Sequence, residues 1–97
     1  MSAVCVTATL HVLPGHEEAV IRALKKIAFA SRSEQGCLQY DPHQCLVDPR
    51  TFMVLEKWAS KADLDAHAGR PHMAEFLEAV SDCLTEPSEV LLWEALA

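Results

Sequence analysis

Glu56, Trp58, His67 and His72 place two imidazoles, a carboxylate and an indole within seventeen positions, inside an otherwise apolar pattern. The segment that carries them, 51–76, reads as a strand, a short helix opened by Ser60, and a second helix opened by Pro71. Strand parity puts Phe52, Val54, Glu56 and Trp58 on one face, and the apolar members must face the interior. Glu56 then points into apolar space, where an unpaired carboxylate costs several kcal/mol. It needs a donor, water or a raised pKa. Tyr40 shares parity with Leu38 on the preceding strand and faces the same way. His67 follows Leu64 by three, so both lie on the sheet-facing side of the helix. An imidazole changes charge near neutral pH and can act as a general base.

Three polar groups from three elements, meeting in one apolar space, define a candidate pocket. In it His67, Glu56 and Tyr40 are the acid–base groups, with the protonation of Glu56 coupled to that of His67. Trp58, Phe52 and Leu64 supply apolar walls, and His72 shapes the entrance. The competing reading is structural for each residue: a packed neutral histidine, a core tyrosine, a glutamate satisfied by a backbone amide or a lysine.

Other chemistries find little support. His67 and His72 are five apart across a helix break, and no spacing along the chain offers three convergent metal ligands. There is no Gly-rich phosphate loop, dinucleotide fingerprint or nucleophile elbow. The expectation is a site that needs no metal or organic cofactor. Cys5, Cys37, Cys45 and Cys83 contain no C-x-x-C pair and read as reduced thiols used as small hydrophobes.

The elements that position these groups follow from periodicity. Val4, Val6, Ala8, Leu10 and Val12 alternate with Cys5, Thr7, Thr9 and His11, a strand with one purely apolar face. Pro14-Gly15 breaks it, and Glu17 and Glu18 open a helix whose inner stripe is Val20, Leu24, Ile27, Ala28 and Ser31. Gly36 is the expected stop. Residues 37–45 form a second strand, in which Pro42 marks an edge or a bulge. Asp48-Pro49-Arg50 turns it into the third, Phe52 to Trp58. Met73, Phe76, Leu77, Val80 and Leu84 line the last helix, and Glu89 to Leu96 reads as a closing strand. The order βαββαβ is the ferredoxin-like arrangement: an α+β fold with an antiparallel four-stranded sheet and its helices on one face.

Ninety-seven residues, 51% hydrophobic and 23% charged, make a single globular domain over 1–97. The net charge of −6 and scattered lysines and arginines argue against nucleic acid. No apolar run is long enough for a membrane span, and no signal pattern is visible, so a cytoplasmic location is expected. The bare sheet face would carry Cys5, Thr7, Thr9, Gln39, Met53 and Leu55. That set is too apolar for water and too polar for a dry core, which points to a homodimer paired through the sheets.

The segments SRSEQGCLQYD (31–41), DPRTFMVLEKW (48–58) and LDAHAGRPH (64–72) resemble the antibiotic biosynthesis monooxygenase family. The resemblance implies a ferredoxin-like domain paired into a dimeric α/β barrel. It also implies one of several activities: cofactor-free oxygenation of polyketide-type phenols or quinols, isomerisation of a phosphorylated sugar, or haem degradation. Haem-degrading members use an asparagine on the first strand, where this chain has Ala8. The favoured expectation is a cofactor-independent monooxygenase that binds a small aromatic substrate and dioxygen. The alternatives are an isomerase with the same acid–base groups and a non-catalytic ligand-binding dimer.

Overall fold

The computed structural model describes residues 2–97. Alternation of β-branched and apolar residues builds the strands β1 (Val4–His11), β2 (Cys37–Gln44), β3 (Thr51–Trp58) and β4 (Glu89–Trp93). The helices are α1 (Glu17–Ser31), α2 (Lys61–Ala68) and α3 (Pro71–Val80), with a short 3-10 turn over Ser81–Cys83. The strands pair antiparallel in the order β2-β3-β1-β4, the ferredoxin-like topology. Ala8 stands opposite Val54 and Val6 opposite Glu56, so the apolar stripe of β1 lies alongside the residues of β3 that carry chemistry.

The five predicted core positions of α1, Val20, Leu24, Ile27, Ala28 and Ser31, are the buried ones. They pack on Val6, Leu10, Phe52, Val54 and Trp58 of the sheet. Ser60 caps α2 by accepting from the Asp63 amide at 3.1 Å, and Pro71 opens α3.

Three local expectations fail. Helix α1 ends at Ser31, not at Gly36, because Arg32 to Glu34 close it with tighter turns: the Ser33 amide bonds the Ala30 carbonyl and the Glu34 amide the Ser31 carbonyl. Gly36 instead shapes the entry to β2, with φ +80°. Its carbonyl accepts from the Ala59 amide at 2.8 Å, and a Cβ on it would overlap the carboxyl group of Asp63. Leu38, assigned to the interior by parity, is exposed. A register shift between Cys37 and Gln39 turns it outward and leaves Tyr40 buried. Finally, β4 stops at Trp93 rather than Leu96, and every one of its residues is exposed.

The sheet face away from the helices carries Cys5, Thr7, Thr9, Gln39, Met53 and Leu55, each half-buried in the single chain. Leu91 and Trp93 extend that face along β4. No described helix is long and apolar enough to cross a membrane.

Candidate active site

Between the sheet and the α2–α3 segment lies an open cavity of about 660 Å³, bordered by β1, β2, β3, α2, α3 and the strap before β4. Tyr40, Glu56 and His67 reach it, and Leu64, Ala8 and Phe76 contribute to its apolar wall. Three of the residues assigned to it by sequence lie elsewhere. Trp58 is wholly buried behind the wall, Phe52 belongs to the core under α1, and His72 lines the groove between α1 and α3.

Trp58 has a different task. Its indole N–H donates to Glu56 Oε1 at 3.0 Å, and its ring lies under His67 with centroids 4.6 Å apart. Tyr40 meets the same imidazole edge-on at 5.5 Å. His67 is therefore held between two aromatic rings, which fixes its plane.

His67 and Glu56 influence each other through charge, as expected, but share no direct hydrogen bond. The carboxylate that holds His67 is Glu34, from the turn after α1: His67 Nδ1 lies 2.7 Å from Glu34 Oε2. His72 Nε2 lies 2.7 Å from the same oxygen, and Arg70 Nε is 3.4 Å from Oε1. Only 6% of the Glu34 side chain and 4% of that of His67 are exposed. Sequence reasoning did not single out Glu34, leaving it within the end of a helix expected to stop at Gly36. The signal was there in its spacing: position 34 follows the buried Ser31 by three and so continues the inner stripe of α1 past its last turn.

Burial pushes the Glu34 carboxyl up, but the hydrogen bonds from His67 and His72, with their charges, outweigh it and leave the value below the ordinary range. Glu34 is thus a carboxylate, which only accepts, so His67 carries its proton on Nδ1 and His72 on Nε2. A neutral His67 then keeps its lone pair on Nε2.

Among the described residues that nitrogen makes no hydrogen bond, and neither do Glu56 Oε2 and the Tyr40 hydroxyl. None of the three is sealed in, because Ser31 Oγ is the one fully enclosed side-chain N or O atom without a partner among the described residues. All three belong to residues that line the cavity. Burial raises the Glu56 carboxyl above its usual range, against the Trp58 hydrogen bond and the charge of His67. Burial likewise drives the Tyr40 phenol far up, helped by the Glu56 charge. A nearby Ser31 hydroxyl acts the other way without making a well-formed hydrogen bond. The cavity thus presents a basic nitrogen, a carboxyl inclined to keep its proton and a neutral phenol.

The family model for the antibiotic biosynthesis monooxygenase domain matches residues 3–79, which include every residue of this constellation. The chain belongs to that family. The probable quinol monooxygenase YgiN of Escherichia coli is 33% identical, with 84% of this chain and 88% of that protein aligned. An uncharacterized Synechocystis protein is 30% identical over 94% of this chain, which spans 62% of that relative's length. Among solved structures, that of PA3566 from Pseudomonas aeruginosa superposes with a TM-score of 0.93 at 33% identity, covering 100% of this chain and 97% of that one. The family therefore accounts for the sheet order and the helical face, while the carboxylate–bis-imidazole cluster is read from this chain's own geometry.

Proposed function

We propose that this protein is a monooxygenase of a small electron-rich phenol or quinol, with His67 as the base. The observation that carries the reading is the convergence of His67 Nε2, Glu56 Oε2 and the Tyr40 hydroxyl on one apolar cavity, with the opposite nitrogen of His67 held by Glu34. A carboxylate on Nδ1–H orients the ring and stabilises the imidazolium that forms when Nε2 takes a proton.

In this reading the substrate ring lies against Leu64, Phe76 and Ala8, and His67 Nε2 removes a phenolic proton. The electron-rich anion gives two electrons to dioxygen, forming a carbon–oxygen bond and a hydroperoxide that takes up the abstracted proton. Loss of water then breaks the O–O bond and leaves a carbonyl, so that substrate and O₂ yield quinone and H₂O. Glu56 is suited to hand a proton to the departing oxygen, and Tyr40 to donate to the substrate oxygen. An apolar cavity keeps bulk water from competing for the anion.

The same proposal includes a homodimer through the bare sheet face, supported by the half-buried Thr7, Met53 and Leu55 and the exposed Leu91 and Trp93. The test is oxygen uptake with a panel of hydroquinones and naphthols. Wild type consumes oxygen, and His67→Ala and Tyr40→Phe lose most of that activity while retaining the fold by circular dichroism. Rearrangement of a substrate without oxygen uptake would transfer the site to isomerase chemistry. Turnover that survives both substitutions would remove His67 from the mechanism.

A further inference from the structure

Glu34, His67 and His72 were not expected to converge, yet one ligand atom from each lies within 4.8 Å of the other two. We infer that the three form a site for a single borderline divalent cation of the Zn²⁺ class, and that its binding switches His67 from base to donor. Two imidazoles and one carboxylate suit Zn²⁺ and its neighbours Fe²⁺, Co²⁺ and Ni²⁺, and suit Mg²⁺ or Ca²⁺ poorly.

The geometry needs little adjustment. Each ring nitrogen is now 2.7 Å from Glu34 Oε2. Around a tetrahedral ion with bonds near 2.1 Å, ligand atoms stand roughly 3.4 Å apart. Opening both contacts by about that difference needs a shift of the Glu34 carboxylate away from the clamped His67 and a small rotation of His72, whose side chain is 26% exposed. Arg70, 46% exposed, can swing away from Glu34 as positive charge arrives. The exposed side of His72 also leaves an entry path and room for a water as fourth ligand.

The consequence lies in the tautomer. Glu34 now fixes the His67 proton on Nδ1 and leaves the Nε2 lone pair to the cavity. A metal on Nδ1 takes the place of the proton there, and a neutral ring must then carry its proton on Nε2. His72 makes the corresponding exchange, from Nε2 to Nδ1. No net proton is released, but the cavity loses its base. The silencing rests on the proposed role of His67; the metal site does not.

The test uses the full chain with ZnCl₂ as probe, followed by equilibrium dialysis and by ¹⁵N NMR of the histidine rings. The expected result is one tightly bound ion per chain, with His67 appearing as the Nε2–H tautomer. His72→Ala and Glu34→Gln should each weaken binding by roughly a hundredfold or more, since each removes or neutralises a direct ligand. His72→Ala, at a partly exposed position, keeps the comparison valid if Glu34→Gln fails to fold. Equal affinity in wild type and His72→Ala would overturn the proposal. So would binding lost in Cys37→Ser and kept in His72→Ala, which would mark a thiol site. A bound ion that leaves the Nδ1–H tautomer in place would overturn the switch. Oxygen uptake that continues in zinc-loaded protein with the Nε2–H tautomer would instead count against His67 as base, leaving the metal site intact.

Discussion

Gly36 and Gly15 both adopt left-handed backbone, at φ +80° and +88°, but only Gly36 is crowded. Replacing each with alanine separates conformation from packing. An alanine in this region costs about 1–2 kcal/mol, offset by roughly 0.4–1 kcal/mol from the stiffer unfolded chain. Gly15→Ala, with open space around it, should therefore lose roughly 0–1.6 kcal/mol. At Gly36 the new methyl collides with the Asp63 side chain, which must turn away and give up its hydrogen bond with the Ser60 hydroxyl. Disturbing that cap adds about 1–2 kcal/mol. The two variants should thus differ by about 1–2 kcal/mol, or roughly 4–16 °C in Tm for a domain of this size. Urea and thermal unfolding measure the difference, and in an Asp63→Ala background, which already lacks that hydrogen bond and the clash, Gly36→Ala should cost no more than Gly15→Ala does. Equal destabilisation of the two single variants would refute the packing argument. Because Gly36 also sets the turn that delivers Glu34 to His67, Gly36→Ala should lower turnover more than Gly15→Ala does.

Three further outcomes follow from the structure. The folded-state pKa of Glu56 is raised by burial, so its stabilising contribution is complete below the ordinary carboxyl range and is lost as pH rises through the folded value. Glu56→Gln keeps an acceptor for Trp58, so its Tm relative to wild type should climb from about pH 4 toward about pH 8; parallel curves would refute the burial penalty. Ser31→Ala removes an enclosed hydroxyl with no partner and should stabilise the chain by about 1 kcal/mol in urea melts, whereas a loss of that size would mean the hydroxyl is satisfied. Leu55→Glu places a charge on the bare sheet face and should convert a dimer to monomer, or unfold it, by sedimentation; wild-type protein that is monomeric at micromolar concentration would end the dimer proposal.

Much of the fold was legible because its periodicities are clean. The inner stripe of α1 could be read residue by residue, since five core positions recur at helical spacing without interruption. Parity also placed Tyr40 and Glu56 on the helix-facing side. It misplaced Leu38 because a register shift breaks the two-residue period, and nothing in Cys37-Leu38-Gln39 announces one. The site was read only in part for the same reason. Periodicity says which way a side chain leaves its own element, not which partner it meets. Glu34 lies in a turn, and His72 follows a helix break whose angle is set by Gly69 to Pro71. Both therefore joined His67 through tertiary geometry. Trp58 illustrates the converse: its parity was right, but its size filled the space behind the wall instead of the cavity.

The two edges of the sheet are unlike in one further respect. Strand β2 ends the sheet with Asp41, Pro42 and His43, a charge and a missing amide that discourage another strand from adding on. Strand β4 ends it with Glu89 followed by the run Val90-Leu91-Leu92-Trp93, whose four residues carry neither charge nor proline. A newly made chain thus has one guarded border and one adhesive border, and the adhesive one is the last strand of the sheet to be synthesised. Any process that slows encounter with the correct partner lengthens the time that run stays available for strand addition by the wrong one. Overproduced protein should accordingly fail first at β4, and a single lysine at Leu92 should reduce its deposition into inclusion bodies.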